Sequence, residues 1–229
     1  MKLEKRVTVD GREIPLESEQ IRLDIDRPGV AILQVLSETP LSGRVAYALG
    51  WNFDPKLTVF FTGEVERSTP VDGMRQRLLC RELSGRLDDT APVSLRHPTL
   101  RDVLAAYAKM TGLSFIVPQK AYADTRVPAF YGLGSAYQAM HSLGAVFHIE
   151  DYVWLTQGDG RIFAGSWEDS RWKGRDVKIP GTLFKKTAAD GTRTIAAIPA
   201  MRPGCVLNGE RVETVTLAGV TMGVKCKIS

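Results

Sequence analysis

The chain has 229 residues, 44% of them apolar and 24% charged, with 30 basic against 26 acidic side chains for a formal net charge of +4. These proportions exclude disordered, collagen-like and coiled-coil chains, and folding at this length buries about 70–75% of the surface, enough for a core without staples. The basic excess is mild, and no apolar run is long enough to cross a membrane.

The first 95 residues read as strands. Ile21, Leu23 and Ile25 alternate with Arg22, Asp24 and Asp26, a period of two that turns one face to a core and the other to water. Arg27-Pro28-Gly29 carries a turn signal and Val30 to Leu36 a strand. Val45, Tyr47 and Leu49 alternate until Trp51-Asn52-Phe53-Asp54-Pro55 breaks the run. Leu57 to Phe61 leads on to Arg67, and Asp72-Gly73 reads as the hairpin turn into Met74 to Glu82. The alternation of Glu64, Glu66, Arg67, Arg81 and Glu82 reads as solvated strand faces.

Helical spacing begins near residue 96. Leu100, Val103, Leu104 and Tyr107 form one stripe, with Thr99 as N-cap, Asp102 completing a capping-box variant and Gly112 as the stop. The strand Leu113 to Val117 follows. Ser135 then caps a second stripe, Ala136, Ala139, Met140 and Leu143, which Gly144 is expected to end before strands at Val146 to Glu150, Tyr152 to Thr156 and Arg161 to Ala164. From Trp172 the chain is β again. Asp190-Gly191 joins Leu183–Lys186 to Thr194–Ile198, Asn208-Gly209 joins Cys205–Leu207 to Arg211–Leu217, and Thr221 to Ile228 alternates. The expected class is α+β: β segments 1–95 and 166–229 flanking an inserted α/β module, 96–165.

No catalytic, cofactor or metal site emerges. His97, His141 and His148 lack ligand spacing, and Cys80, Cys205 and Cys226 are too few for a disulfide framework, which points to reduced thiols. The opening residues lack the apolar stretch of a signal peptide. Gly132-Leu133-Gly134-Ser135 is a turn into a cap, without the third glycine of a dinucleotide fingerprint or the lysine of a phosphate loop. No Gly-x-Ser-x-Gly elbow occurs, and the carboxylate pairs Asp151 with Asp159 and Glu38 with Asp54 have uninformative spacing. Trp51, Trp154, Trp167 and Trp172 read as core or interface plugs, and the longest basic cluster is Lys185-Lys186. The strands carry no evident edge protection, so unpaired edges are expected to seek partners.

The order of motifs carries a resemblance. Phe60-Phe61-Thr62-Gly63-Glu64-Val65, then Leu78 to Leu87, then Leu95 to Leu104, then Ile198-Pro199-Ala200-Met201-Arg202-Pro203-Gly204 before an Asn208-Gly209 hairpin, resembles the phage-tail baseplate hub family, which includes late control protein D and the base of the type VI secretion spike. Many members are longer than this chain. The resemblance implies tail-tube-like β-barrels with the α/β module inserted, and a structural, non-enzymatic virion subunit assembled in the bacterial host cytoplasm. It implies a homo-oligomeric ring, a trimer ahead of a hexamer, joining tail tube to central spike. The tape measure and other baseplate proteins are further candidate partners, with DNA only in transit. A local rival covers residues 98–165, which are similar to the short N-terminal domain of secretins and TonB-dependent receptors. A tail-associated hydrolase is the enzymatic alternative.

Overall fold

The computed structural model describes residues 1–227. The first segment folds into strands β1 (Leu3–Val9), β2 (Arg12–Ile14), β3 (Leu16–Asp24), β4 (Arg27–Leu36), β5 (Gly43–Trp51), β6 (Thr58–Pro70) and β7 (Arg75–Glu82). They pair antiparallel in the order β3-β4-β7-β6-β5-β1-β2. The period of two holds in β3, β4 and β7 and through most of β5, where Ile21, Leu23, Leu33, Val45, Tyr47 and Leu78 are buried between more exposed neighbours; β6 breaks it, burying Phe60 to Gly63 in succession. The sheet rolls until β1 and β3 approach each other, where Lys5 Nζ donates to Glu19 Oε1 at 2.6 Å.

A 3-10 turn at Leu83–Asp88 opens the insertion, followed by β8 (Val93–Arg96), α1 (Leu100–Thr111), β9 (Phe115–Ile116), α2 (Ala121–Asp124), β10 (Ala129–Gly132), α3 (Ala136–Val146), β11 (Tyr152–Thr156) and β12 (Ile162–Ser166). The last segment supplies β13 (Asp176–Val177), β14 (Lys186–Thr187), β15 (Arg193–Ala196), β16 (Val206–Leu207), β17 (Glu210–Ala218) and β18 (Thr221–Cys226). β17 pairs with β3, so β17, β18, β15 and β14 extend the sheet of the first segment. Strands make up 47% of the described residues and helices, 3-10 turns included, 17%, an α+β fold with a small insertion.

Two apolar cores result. One joins both β segments, from Val7 and Leu33 to Leu217 and Val224; the other gathers α1, α3 and the 3-10 turn around Leu87, Leu104, Tyr107 and Met140. Strands β11 and β12 serve both, because alternate side chains leave opposite faces. Val153, Leu155 and Phe163 enter the first core, while Trp154, Ile162 and Ala164 enter the second. One two-sided hairpin therefore welds the insertion to the sheet.

Helix α1 is capped as its sequence dictates. Asp102 N donates to Thr99 Oγ1 at 3.2 Å, Thr99 N donates to Asp102 Oδ2 at 2.9 Å, and Gly112 closes the helix at φ 70°.

Four expectations are corrected. Leu183–Lys186 is not a strand: Gly181–Leu183 is a 3-10 turn and pairing begins only at β14, Lys186–Thr187. Arg27-Pro28-Gly29 is strand, not turn: the turn is Ile25-Asp26, with Asp26 at φ 56°. Gly29 is needed for close approach instead, since a Cβ there would lie 2.6 Å from Leu23 Cδ2. Gly144 lies inside α3 rather than at its end; the Tyr152 side chain packs where a Cβ would sit, 2.7 Å from Tyr152 Cβ. Residues 146–150 form no strand. Phe147 and Ile149 are buried alternately as in one, but the chain turns through His148 at φ 51°, and Ile149 N donates to Gly144 O at 2.8 Å. The closing strand runs to Cys226, and Ile228 lies outside the described residues.

Candidate functional site

The side chains with chemical potential are scattered. His97 sits at φ 49° just before α1, His148 in the turn after α3, and His141 on α3 with its ring 4.6 Å from Tyr137 and 5.9 Å from Trp154. All three cysteines are buried free thiols. Burial pushes Cys80 up to about 12, with Glu66 adding to it, and burial likewise raises Cys205 and Cys226, which keeps them protonated and poor nucleophiles. Ser135 Oγ accepts from Gln138 N as the α3 cap. Asp151 pairs with Arg211 at 2.6 Å, Asp159 with Arg161 at 2.8 Å, and Asp54 accepts from Trp51 N at 2.7 Å, while Glu38 is exposed. Among the described residues no group of three His, Cys, Asp or Glu could hold a metal.

The tryptophans act as plugs. Trp51 Nε1 donates to Ala197 O at 3.1 Å and Trp167 Nε1 to Gly204 O at 2.9 Å, tying the last segment to β5 and to the end of β12. Trp154 is fully buried, and Trp172 lies under the Arg171 guanidinium at 4.4 Å.

Two polar clusters join segments distant in sequence. Glu82, expected on a solvated face, is buried: Arg202 Nη2 donates to its Oε1 at 2.9 Å and Gly29 N to its Oε2 at 2.8 Å. The same guanidinium donates to Thr156 O at 2.9 Å and to Phe60 O. Burial pushes the Glu82 carboxyl up, opposed by Arg202 and the Gly29 N–H. One arginine thus satisfies partners on β6, β7 and β11. In the second cluster Asp26 Oδ1 accepts from Trp154 N at 2.8 Å, while Asp26 N donates to Trp154 O at 3.2 Å. Burial raises the Asp26 carboxyl to about 6, against the pull of the Trp154 N–H and Arg211.

The surface available for association is a sheet face rather than a long edge. The sheet path ends in β2 and β14, of three and two residues, which are poor templates for pairing, and the edge left open beside β2 is the short stretch Leu3–Arg6 of β1. On the outer face Ile32 lies opposite Gln20 on one side and Leu79 on the other, and Ile32 and Leu36 are 41% and 42% exposed. A shallow groove of about 360 Å³ runs between Gln20, Val30, Ile32, Thr216 and Ala218.

Compared with solved structures, the chain superimposes on the 43 kDa tail protein of prophage MuSo2 from Shewanella oneidensis with a TM-score of 0.73, 10% identity and coverage of 99% of this chain and 97% of that one. It matches the tail protein from Neisseria meningitidis with a TM-score of 0.70, 12% identity and coverage of 99% and 96%. The chain has the fold of phage tail proteins. That fold extends to an Escherichia coli component of the type VI secretion system with structural similarity to bacteriophage T4 tail proteins, at a TM-score of 0.61, 10% identity and coverage of 97% and 77%. In sequence the chain is 33% identical over 219 residues to an uncharacterized 58.7 kDa protein of Haemophilus phage HP1, covering 96% of this chain and 41% of that protein. The chain therefore spans less than half of that relative. No protein-family model matches the chain. The tail-protein fold is the one that the order of motifs implies, and it embraces both β segments together with the insertion, whereas the secretin-like resemblance accounts for residues 98–165 alone.

Proposed function

We propose that this chain is a structural subunit of a phage-tail baseplate hub, forming a ring that joins the tail tube to the central spike. The observation that carries the reading is the fold match over 99% of the chain to two tail proteins, supported by the phage HP1 relative. The match to a type VI secretion component that is itself similar to bacteriophage T4 tail proteins supports a place in a tail-like machine. Ring closure uses the large-sheet strands of the β segments 1–95 and 166–229, with the module 96–165, and the 3-10 turn and β8 that pack in its core, outside them. A contact between sheet faces needs shape and apolar complementarity and no catalytic group, and the face carrying Ile32, Leu79 and Leu36 offers it. The ring is a trimer in preference to a hexamer, its site is the tail baseplate of the virion, and assembly takes place in the host cytoplasm. Tail tube, spike and tape measure are its partners. Native mass spectrometry of the chain, alone and with tube and spike proteins of one phage, tests this. A complex with three or six copies is expected; a chain that stays monomeric with both partners present would overturn the proposal.

A further inference from the structure

The net positive charge of the chain is concentrated in one arm. Residues 171–186 hold six basic side chains, Arg171, Lys173, Arg175, Lys178, Lys185 and Lys186, against one acidic, Asp176. The segment carries +5 and the whole chain +4, so the remaining residues sum to −1. The sheet face and the insertion are close to charge-balanced.

The structure leaves this charge uncompensated. Among the described residues only Lys173 of the six forms an ion pair, with Glu168. All six side chains are exposed. Arg171 is crowded by its own sign: where it stacks on Trp172, desolvation lowers its pKa, and Arg202, Arg175 and Arg161 lower it further against the opposing pull of Asp159. The arm is nonetheless held in place. Trp172 is buried, β13 pairs in parallel with β16, and Asn208 clamps Ile179, accepting from its N–H at 2.8 Å and donating to its carbonyl at 2.9 Å.

Between the cations lie apolar groups open to solvent. Leu183 is 60% exposed in a 3-10 turn, and a shallow cleft of about 550 Å³ lies beside Ile179, Pro180, Asn208 and Gly209, with Lys178 and Asp176 at its rim, the Asp176 carboxylate already accepting from Gly209 N. Cations alone would suit any polyanion. A phosphate backbone, however, offers nothing to Leu183 or to an apolar cleft wall, whereas a polypeptide can present carboxylates and apolar side chains together.

We propose that residues 171–186 are a docking surface for an acidic polypeptide segment bearing apolar side chains, its carboxylates meeting Lys178, Lys185 and Lys186 and its apolar groups meeting Leu183 and the cleft beside Ile179. This assignment does not depend on the ring. The partner is a different protein: the acidic segment with alternating apolar side chains in this chain, β3, is paired on both sides, with Glu19 and Asp24 already held by Lys5 and Arg22.

The test is fluorescence anisotropy of the full chain with three labelled probes: a glutamate-rich peptide with interspersed leucines, an all-glutamate peptide of the same length, and a short DNA duplex. At about 0.1 M salt the glutamate–leucine peptide binds most tightly, and raising the salt weakens it because the contacts are exposed charges. The triple variant K178Q/K185Q/K186Q loses about tenfold or more in affinity for that peptide, equivalent to ~1.4 kcal/mol. Leu183→Ser weakens the glutamate–leucine peptide and leaves the all-glutamate peptide unchanged. All four positions are exposed, so both variants keep the thermal transition of the parent. Failure of the glutamate–leucine peptide to bind, tighter binding of the duplex, or an unchanged affinity in either variant would overturn the assignment.

Discussion

At the residue scale the decisive group is Arg202, which links a turn in the last segment to β6, β7 and β11 through one guanidinium. A buried ion pair contributes little net stability over an apolar isostere, yet removing one partner strands a charge. Arg202→Ala should therefore lower unfolding stability by about 3–5 kcal/mol, whereas Arg202→Met with Glu82→Leu should recover much of the loss. Urea denaturation of the three proteins checks this, and equal losses in single and double variants would show that packing, not charge, dominates. Asp26 gives a second, pH-dependent effect. Its folded carboxyl titrates at about 6, above the ordinary carboxylate value. The native state thus holds the proton where the unfolded chain has lost it, so stability from this group rises as pH falls from 7 towards 4 and is lost as pH climbs through 6. Asn at this position tolerates the positive φ and keeps an acceptor for Trp154 N. Asp26→Asn should be as stable as the parent at pH 4 and more stable at pH 7, by up to ~1.4 kcal/mol for each unit of the raised pKa. Thermal melts across that range measure it, and parallel curves for the two proteins would contradict it.

At the element scale the α1 stripe and the β11–β12 hairpin govern the insertion. Leu104 is 2% exposed in its core, so Leu104→Asp would bury an unpaired carboxylate and should cost roughly 4 kcal/mol or more. A melting temperature equal to that of the parent would mean the stripe is not packed. This helix was legible in sequence because its cap, period and stop all agree on the same twelve residues. The hairpins at Asp72-Gly73 and Asn208-Gly209 were legible for the same reason, the latter turning through φ 52° and 85°. Legibility failed where tertiary packing overrides local signals. Gly144 looks like a stop but makes room for Tyr152, and Phe147 and Ile149 alternate in burial on a turn rather than a strand. The short helix α2 and the 3-10 turn at Leu83–Asp88 span too few residues for a periodic signal. Glu82 and Arg202 were not legible as a pair because 120 residues separate them and an alternating charged strand looks the same whether its acid faces water or a buried arginine.

At the scale of the whole molecule one sheet runs through both β segments, because β3 pairs with β4 on one side and with β17 on the other. The insertion packs on that sheet through the β11–β12 hairpin, whose alternate side chains enter the core of each. The short strands at both ends of the sheet move the expected contact from edge pairing to the outer face around Ile32 and Leu79. Such a face closes a ring when it meets a second, different patch on the next copy and one rotation repeats that contact; meeting its own copy it would give only a two-fold pair. Electron microscopy of the chain bound to its tail tube protein is the most direct measurement of this account. It should show a closed ring, coaxial with the tube, with three-fold or six-fold symmetry and the insertions on its outside. A single copy bound off the tube axis, or a ring whose symmetry is unrelated to three, would contradict it.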